Sequence, residues 1–546
     1  MFPTLARRAQ VPVRRLDRLI REMAANWESL RPEEDPRVDP AERARFVGAW
    51  NEHRKIYGYT LLAELPYALR NALHDHLDLE GVDYDLLVVD EYQDLNACDL
   101  EVLRLIAERG CSIVGAGDDD QSIYSFRRAA PEGIRRFSQD YPNSEDYTLS
   151  ITQRCGSKII EWASYVIEGD PDRPRGRPRL RSAEGSPAGE VGLLSFPGEV
   201  SEAQGIAAII DKLVNEEEIP PAEILVLLRS DHNGTFSNPI KARLAELSIP
   251  CSDPDAVERM LGESSNRRML EIFRLLVNRD DSLAWASLLR LTSGIGETFF
   301  SYVYERARIG RIQFGQALLE AYEQDFPDGP AGSSRKAREL IQSVSRWLDE
   351  HEVPESTPQG GWGNWIISTA GGDVVPGPSD KLAELLRALD QLGEAEQELG
   401  RYLGQVTPLG KDRALAESAG VRIMTMGGAK GLTVRATIIG ALEEGIIPRP
   451  DADLGEERRL LYVAMTRARE FVYGTWACRR RGPTARAGAP RVVTARRYSS
   501  FLEGAPLGRR TVRSTSAASG VKFGVAIISW SFFFVEFTPP SIGGVP

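Results

Sequence analysis

Asp90 and Glu91 follow directly on the apolar run Leu86-Leu87-Val88-Val89. Such a run predicts a buried strand, and a strand delivers acids to its C-terminal end, where open α/β sheets take their ligands. There one carboxylate can hold Mg²⁺ while its neighbour orients an attacking water. Taken alone, the pair fits equally well a strand that ends in a solvated loop. A second apolar run, Cys111 to Gly117, leads into Asp118-Asp119-Asp120-Gln121-Ser122-Ile123-Tyr124-Ser125-Phe126-Arg127. Three acids, an amide and an aromatic at a strand exit predict a second ligand-facing edge.

Two more motifs stand far downstream: Gly428-Ala429-Lys430-Gly431-Leu432, and Arg458-Arg459-Leu460-Leu461-Tyr462-Val463-Ala464-Met465-Thr466-Arg467-Ala468. Together with Asp90-Glu91-Tyr92-Gln93-Asp94 and the Gly117 to Tyr124 stretch, they follow the order found in superfamily I DNA helicases of the UvrD/Rep type. The chain resembles that family over roughly residues 40 to 500. The resemblance implies an α/β fold of two RecA-like, P-loop NTPase-type domains, the first incomplete here, with helical insertions. It implies ATP and Mg²⁺ as cofactors, and single-stranded and duplex DNA as partners. The implied activity is 3′ to 5′ movement on single-stranded DNA, coupled to ATP hydrolysis and duplex unwinding, in DNA repair or recombination. A protein partner in repair is compatible with it.

Residue by residue, the resemblance makes Asp90 the Mg²⁺-coordinating acid and Glu91 the water-positioning base. Gln121 matches the glutamine that senses the γ-phosphate. Arg154 and Arg467 match two arginines that reach the nucleotide from the second domain, where charge builds on the transferred phosphoryl oxygens. Gly431 joins the nucleotide-binding set. For DNA, Phe126 takes the place of a tryptophan that stacks on a base. Thr425 matches a threonine at a backbone phosphate. Gly294 and Gly296 resemble the turn of a helix-hairpin-helix, whose N–H groups meet duplex phosphates. A core aromatic is the competing reading of Phe126, and a plain tight turn that of the two glycines.

The departures from the family pattern are specific. The sequence contains no Gly-x-x-x-x-Gly-Lys-Ser/Thr, the loop that wraps phosphates with backbone N–H groups and a lysine. The family carries it upstream of the Asp-Glu motif, so the chain is expected to be N-terminally truncated and impaired in hydrolysis. A wrong start, a fragment and a degenerate paralogue all fit. Gln153 stands where the family has a tyrosine on the adenine, Thr433 where it has a glutamate at the ribose, and Gly427 where it has a histidine. The alternative function is therefore a catalytically inactive remnant that binds DNA or a protein partner. No acid cluster after residue 470 reads as a nuclease centre, which ranks a helicase–nuclease subunit below both.

The elements that must position these residues follow from composition and period. The 546 residues suffice for several domains, and 42% hydrophobic with 27% charged is a globular composition. A net charge of −12 does not exclude DNA, because the binding footprint is local. The arginines between Arg479 and Arg510 read equally as a phosphate strip and as a solvated tail. Five scattered cysteines form no Cys-x-x-Cys pair and fit a reducing cytoplasm. Residues 1–21 are basic without an apolar core, unlike a secretory signal. The apolar run Val525 to Val535 is too short for a membrane span.

Periodicity then divides the chain. Residues 1–78 are expected to be a helical insertion of the first domain, carrying the stripe Leu16, Leu19, Ile20 and Met23. Residues 79–143 are expected to be the remainder of the first RecA-like domain. Residues 144–256 and 406–502 are assigned to the second, where apolar runs at 191–196 and 224–228 flank a helix over 202–216. Residues 257–405 are an inserted helical subdomain, and 503–546 a disordered or appended tail.

Overall fold

The computed structural model describes residues 2–32, 34–76, 81–129, 131–252, 256–392, 398–416, 419–485, 494–505 and 533–535. They fall into two compact units, Met1–Leu77 with Pro254–Glu417, and Asp78–Asp253 with Ser418–Pro546.

The first unit is helical throughout its described residues. Helix Val13–Ser29 buries Leu16 and Leu19, as its apolar stripe requires. Helix Pro40–Tyr57 starts at Asp39, whose carboxylate accepts the Ala41 and Glu42 N–H groups, and ends at Gly58 with φ 66°. Its last turn enters the core of the later helices: Tyr57 stacks on Phe314 with ring centroids 4.8 Å apart. Both share a core with Phe273, Leu288 and Tyr304. Two stretches read separately in the sequence thus bury one another's apolar faces. Helix Leu399–Ala416 also runs across the expected boundary at 405/406. Leu399, Tyr402 and Val406, spaced by three and four, are all buried, so one apolar stripe crosses that boundary.

The second unit is α/β with parallel sheets. Strand β1 (Leu86–Val89) pairs in parallel with β2 (Ser112–Gly115), Leu86 opposite Ser112. The connecting helix Ala97–Ala107 opens with a capping box, in which Asn96 accepts the Cys98 and Asp99 N–H groups and Asp99 reaches back. Leu86 and Val88 on one face of this pair are 54% and 63% exposed, although parallel sheets are usually covered on both faces. Strand β3 (Ile151–Thr152) pairs with β4 (Arg181–Ser182).

The larger sheet uses β5 (Glu190–Phe196), β6 (Ile224–Leu228), β7 (Cys251–Ser252), β8 (Val421–Thr425), β9 (Val434–Ile439) and β10 (Ala468–Ala477). Two short strands, β11 (Arg479–Arg480) and β12 (Thr494–Ala495), form an antiparallel ladder beside it. Its edge strand is β13 (Phe533–Val535), the order being β13-β5-β10-β9-β6-β8-β7, parallel throughout. Every residue of β6 is buried, the continuous apolar pattern of a strand covered on both faces. Helix Ser157–Glu168 contributes Trp162 to this core and helix Leu454–Met465 contributes Leu461. Of the expected tail, residues 503–505 and β13 are described and the rest lies outside the described residues.

Candidate nucleotide site

Asp90 is the first residue after β1 and is exposed. One of its oxygens accepts the Glu91 N–H at 2.8 Å. Glu91 adopts φ 52°, ψ 40°, a left-handed conformation that a side chain with a Cβ rarely takes. Such strain persists only where the surroundings enforce it, and it clusters at functional positions. Gln93, fully buried, does the enforcing. Its Nε2 donates to Glu91 Oε2 at 2.5 Å, and its Oε1 accepts the Asp118 N–H at 3.0 Å. The Ser122 hydroxyl donates to the Gln93 carbonyl at 3.1 Å. One amide thereby joins the loops after β1 and β2. Gly117 lies so close that a Cβ would collide with Gln93 Oε1 and Ile134.

Gln121 ends the short 3-10 turn Asp119–Gln121. Arg467, at the end of helix Leu454–Met465, is 1% exposed and donates from Nη2 to Gln121 Oε1 at 3.1 Å. Its other partners are neutral: the Val463 carbonyl at 2.9 Å, the Thr466 hydroxyl at 3.2 Å and the Leu432 carbonyl at 3.4 Å. Among the described residues no carboxylate lies within ion-pair distance of it. Burial, and then the neighbouring Arg154, push its guanidinium down to about 10. Arg154 donates to the Thr466 carbonyl at 3.5 Å. Both guanidinium groups reach Thr466.

Lys430 was not among the sequence-derived candidates. Its Nζ donates to Asp94 Oδ2 at 2.5 Å and to the Gln121 carbonyl at 3.0 Å, and stands 3.3 Å from Glu91 Oε2. It lies 5.3 Å from the Tyr124 ring centre. The Ala-Lys-Gly-Leu motif spelled the residue, but its partners are more than 300 positions away. Gly431, the nucleotide-binding candidate beside it, has φ 83° and turns the chain after the lysine. Glu456 was also missed; it accepts from the Ser125 N–H at 3.1 Å and hydroxyl at 2.6 Å. Asp90, Glu91, Gln121, Arg154, Gly431 and Arg467 thus all belong to one unit.

The DNA candidates are dispersed. Thr425 ends β8, exposed, and its hydroxyl accepts the Gly428 N–H at 3.3 Å. Phe126 lies in the 3-10 turn Ser125–Arg127, and its side chain lies outside the described residues. Gly294 (φ 87°) and Gly296 belong to the helical unit, just before helix Glu297–Gly310. Lys336 donates to the Ser293 carbonyl at 2.7 Å and Ser333 to the Gly294 carbonyl at 3.1 Å, which fixes this turn locally.

Among the described residues, no group of three His, Cys, Asp or Glu side chains could hold a metal ion alone. A single exposed carboxylate such as Asp90 fits Mg²⁺, which keeps several waters and takes further oxygens from nucleotide phosphates. No described helix is long and apolar enough to cross a membrane.

Two regions of the chain match known helicase domains. Residues 49–142 match the UvrD/REP helicase N-terminal domain, and residues 370–478 the UvrD-like helicase C-terminal domain. The chain is 28% identical over 417 residues to DNA helicase II of Escherichia coli, covering 72% of this chain and 56% of that protein. It is 24% identical over 416 residues to the ATP-dependent DNA helicase PcrA of Bacillus subtilis, covering 72% and 54%. The putative ATP-dependent DNA helicase YjcD of the same organism is 24% identical over 451 residues, covering 80% and 57%. The chain spans about half the length of the curated relatives it matches.

Proposed function

Because the chain belongs to the UvrD/Rep family of superfamily I helicases, we propose that it serves an ATP-driven motor that moves 3′ to 5′ on single-stranded DNA and separates duplex, in repair or recombination. The observation that carries this reading is Arg467: a buried guanidinium without a carboxylate, beside Arg154 and hydrogen-bonded to Gln121. Burying a charge without a counter-charge is costly, and a bound anion would offset that cost. A transferred phosphoryl group, gaining negative charge on its oxygens, is the ligand that such a pair suits.

Asp90 would hold Mg²⁺, which when bound neutralises phosphate charge. Glu91 orients the attacking water from its enforced backbone position. Gln121 ties Arg467 to the loop that carries Phe126, so occupation of the nucleotide site reaches a DNA-facing segment. The open face of β1 and β2 supports reading the first RecA-like part as incomplete within these residues. The proposed compartment is the cytoplasm, with DNA as partner.

Phosphate release, with and without single-stranded DNA, tests the proposal. The 546-residue polypeptide is expected to turn over slowly alone and to gain DNA-dependent turnover when fused to a phosphate-loop segment. Failure of the fusion, despite Mg-ATP binding, would overturn the motor reading. It would favour a non-hydrolysing member that binds DNA or a protein partner, as Gln153, Gly427 and Thr433 would lead one to expect. Glu91→Gln is the control for contaminating activity.

A further inference from the structure

Gln121 is held from both ends of its amide. Its Nε2 donates to Asp118 Oδ2 at 2.8 Å, which leaves Oε1 to accept from Arg467. Asp118 is itself gripped. Its Oδ1 accepts from Arg177 Nη2 at 2.7 Å and from the Asp120 N–H at 3.1 Å. Arg177 also pairs with Asp119 and stands 3.4 Å from Asp120 Oδ1, so it sits against three consecutive carboxylates. It comes from the segment following helix Ser157–Glu168, which is fastened at two points ahead of it. Arg173 grips Asp120 with Nε at 2.9 Å and Nη2 at 2.9 Å. Arg459 pairs with Asp170 at 2.8 Å and donates to the Ser122 carbonyl at 2.8 Å.

We propose that Arg177 is a positioning residue for the nucleotide site, setting the amide of Gln121 against Arg467 through Asp118. The logic is one of donors and acceptors. An amide can present either its oxygen or its NH₂ to a neighbour. Arg467 offers only donors, so only the oxygen suits it. Asp118 accepts only, and by holding the NH₂ it selects that orientation. Arg177 keeps Asp118 from turning outward, since the carboxylate is partly exposed (24%) and, among the described residues, otherwise held only by the Asp120 N–H and the Gln121 amide. Arg173 and Arg135 bind the neighbouring aspartates and serve as scaffold. No motif of the sequence reading includes Arg177, which lies in the Pro/Arg/Gly-rich linker.

The role rests on the proposed ATPase, and the test separates the two. Steady-state hydrolysis with saturating single-stranded DNA is measured for the phosphate-loop fusion. The comparison covers Arg177→Ala, Arg177→Lys, Gln121→Ala and the double variant R177A/Q121A. Arg177→Ala should lower kcat about tenfold while KM for ATP changes less than about twofold, as for an interaction expressed mainly in the transition state. Arg177→Lys should recover most of the loss. The double variant should be no slower than Gln121→Ala, because both changes cut the same relay. An unchanged kcat, or losses that multiply, would overturn the proposal. If the wild type hydrolyses no ATP, the motor reading fails on its own. The relay is then judged by urea denaturation of the same four proteins: non-additive midpoints support it and additive ones overturn it.

Discussion

Lys430 Nζ lies 2.5 Å from Asp94 Oδ2 and 3.3 Å from Glu91 Oε2, with its side chain 6% exposed. This cation brings the loop after β8 against the loop after β1. Asp94 is raised above the usual carboxylate range by burial, which outweighs the lowering effect of Lys430. Its second oxygen is buried without a hydrogen-bond partner. The lysine therefore makes a buried acid tolerable, and this leads to the first prediction.

Lys430→Met should destabilise the second unit by about 3 kcal/mol, the usual result of stranding one member of a buried ion pair. Adding Asp94→Asn should recover much of that loss, because a neutral amide replaces the stranded charge. Urea denaturation midpoints of the single and double variants check this. Equal midpoints for the two would contradict it.

Arg467→Ala should lower kcat of a DNA-stimulated, phosphate-loop-bearing form by at least about 10²-fold, or roughly 2.7 kcal/mol of transition-state stabilisation. Nucleotide affinity should change less, since the contact strengthens as charge develops. The measurement is kcat at saturating ATP, because weaker adenine and ribose contacts at Gln153 and Thr433 would raise KM whatever Arg467 does. A KM effect with unchanged kcat would assign Arg467 to ground-state binding.

Single-stranded DNA binding should weaken as salt rises, since phosphate contacts release counterions. Phe126→Ala should cost about 1–3 kcal/mol of binding if a base stacks there. Fluorescence anisotropy at several salt concentrations measures both. An unchanged dissociation constant, with circular dichroism intact, would return Phe126 to the protein core.

Asp120 contributes to the pH dependence, beside Asp94, Asp99 and Glu443, whose carboxyls burial also raises. Burial raises its carboxyl above 3.8, with Arg173 only partly offsetting the shift. The folded state therefore binds more protons than the unfolded chain above pH 3.8. Asp120's contribution to stability is full below that pH and is lost as pH rises through its folded value. Asp120→Asn should flatten this part of the stability–pH curve while lowering stability overall, because Arg173 loses its bidentate partner. Denaturation at pH steps from acid to neutral shows the slope. A slope identical to wild type would remove Asp120 as a contributor.

Much of the chain was legible without coordinates. The runs Leu86–Val89 and Ile224–Leu228 are strands, and in Val421–Thr425 the alternation of buried Val421 and Ile423 with Arg422 marks a third. The helical stripes of the first unit appeared at their period of 3.6. The family motifs named Asp90, Glu91, Gln121 and Arg467, since each sits in a short contiguous pattern.

Tertiary structure alone decided what lies beside what. No local signal could place Tyr57 against Phe314, or merge residues 1–77 with 254–417, because those faces are apolar toward any partner of matching shape. Likewise, Lys430 with Asp94 and Arg177 with Asp118 join residues 336 and 59 positions apart. A charge advertises its sign in sequence, but not the direction from which its counter-charge arrives. The sequence by itself determined which carboxylates, amides and guanidinium groups the chain offers. Only the packing of loops after β1, β2 and β8 determined which of them share hydrogen bonds, because hydrogen bonds require separations near 3 Å that chain distance does not encode.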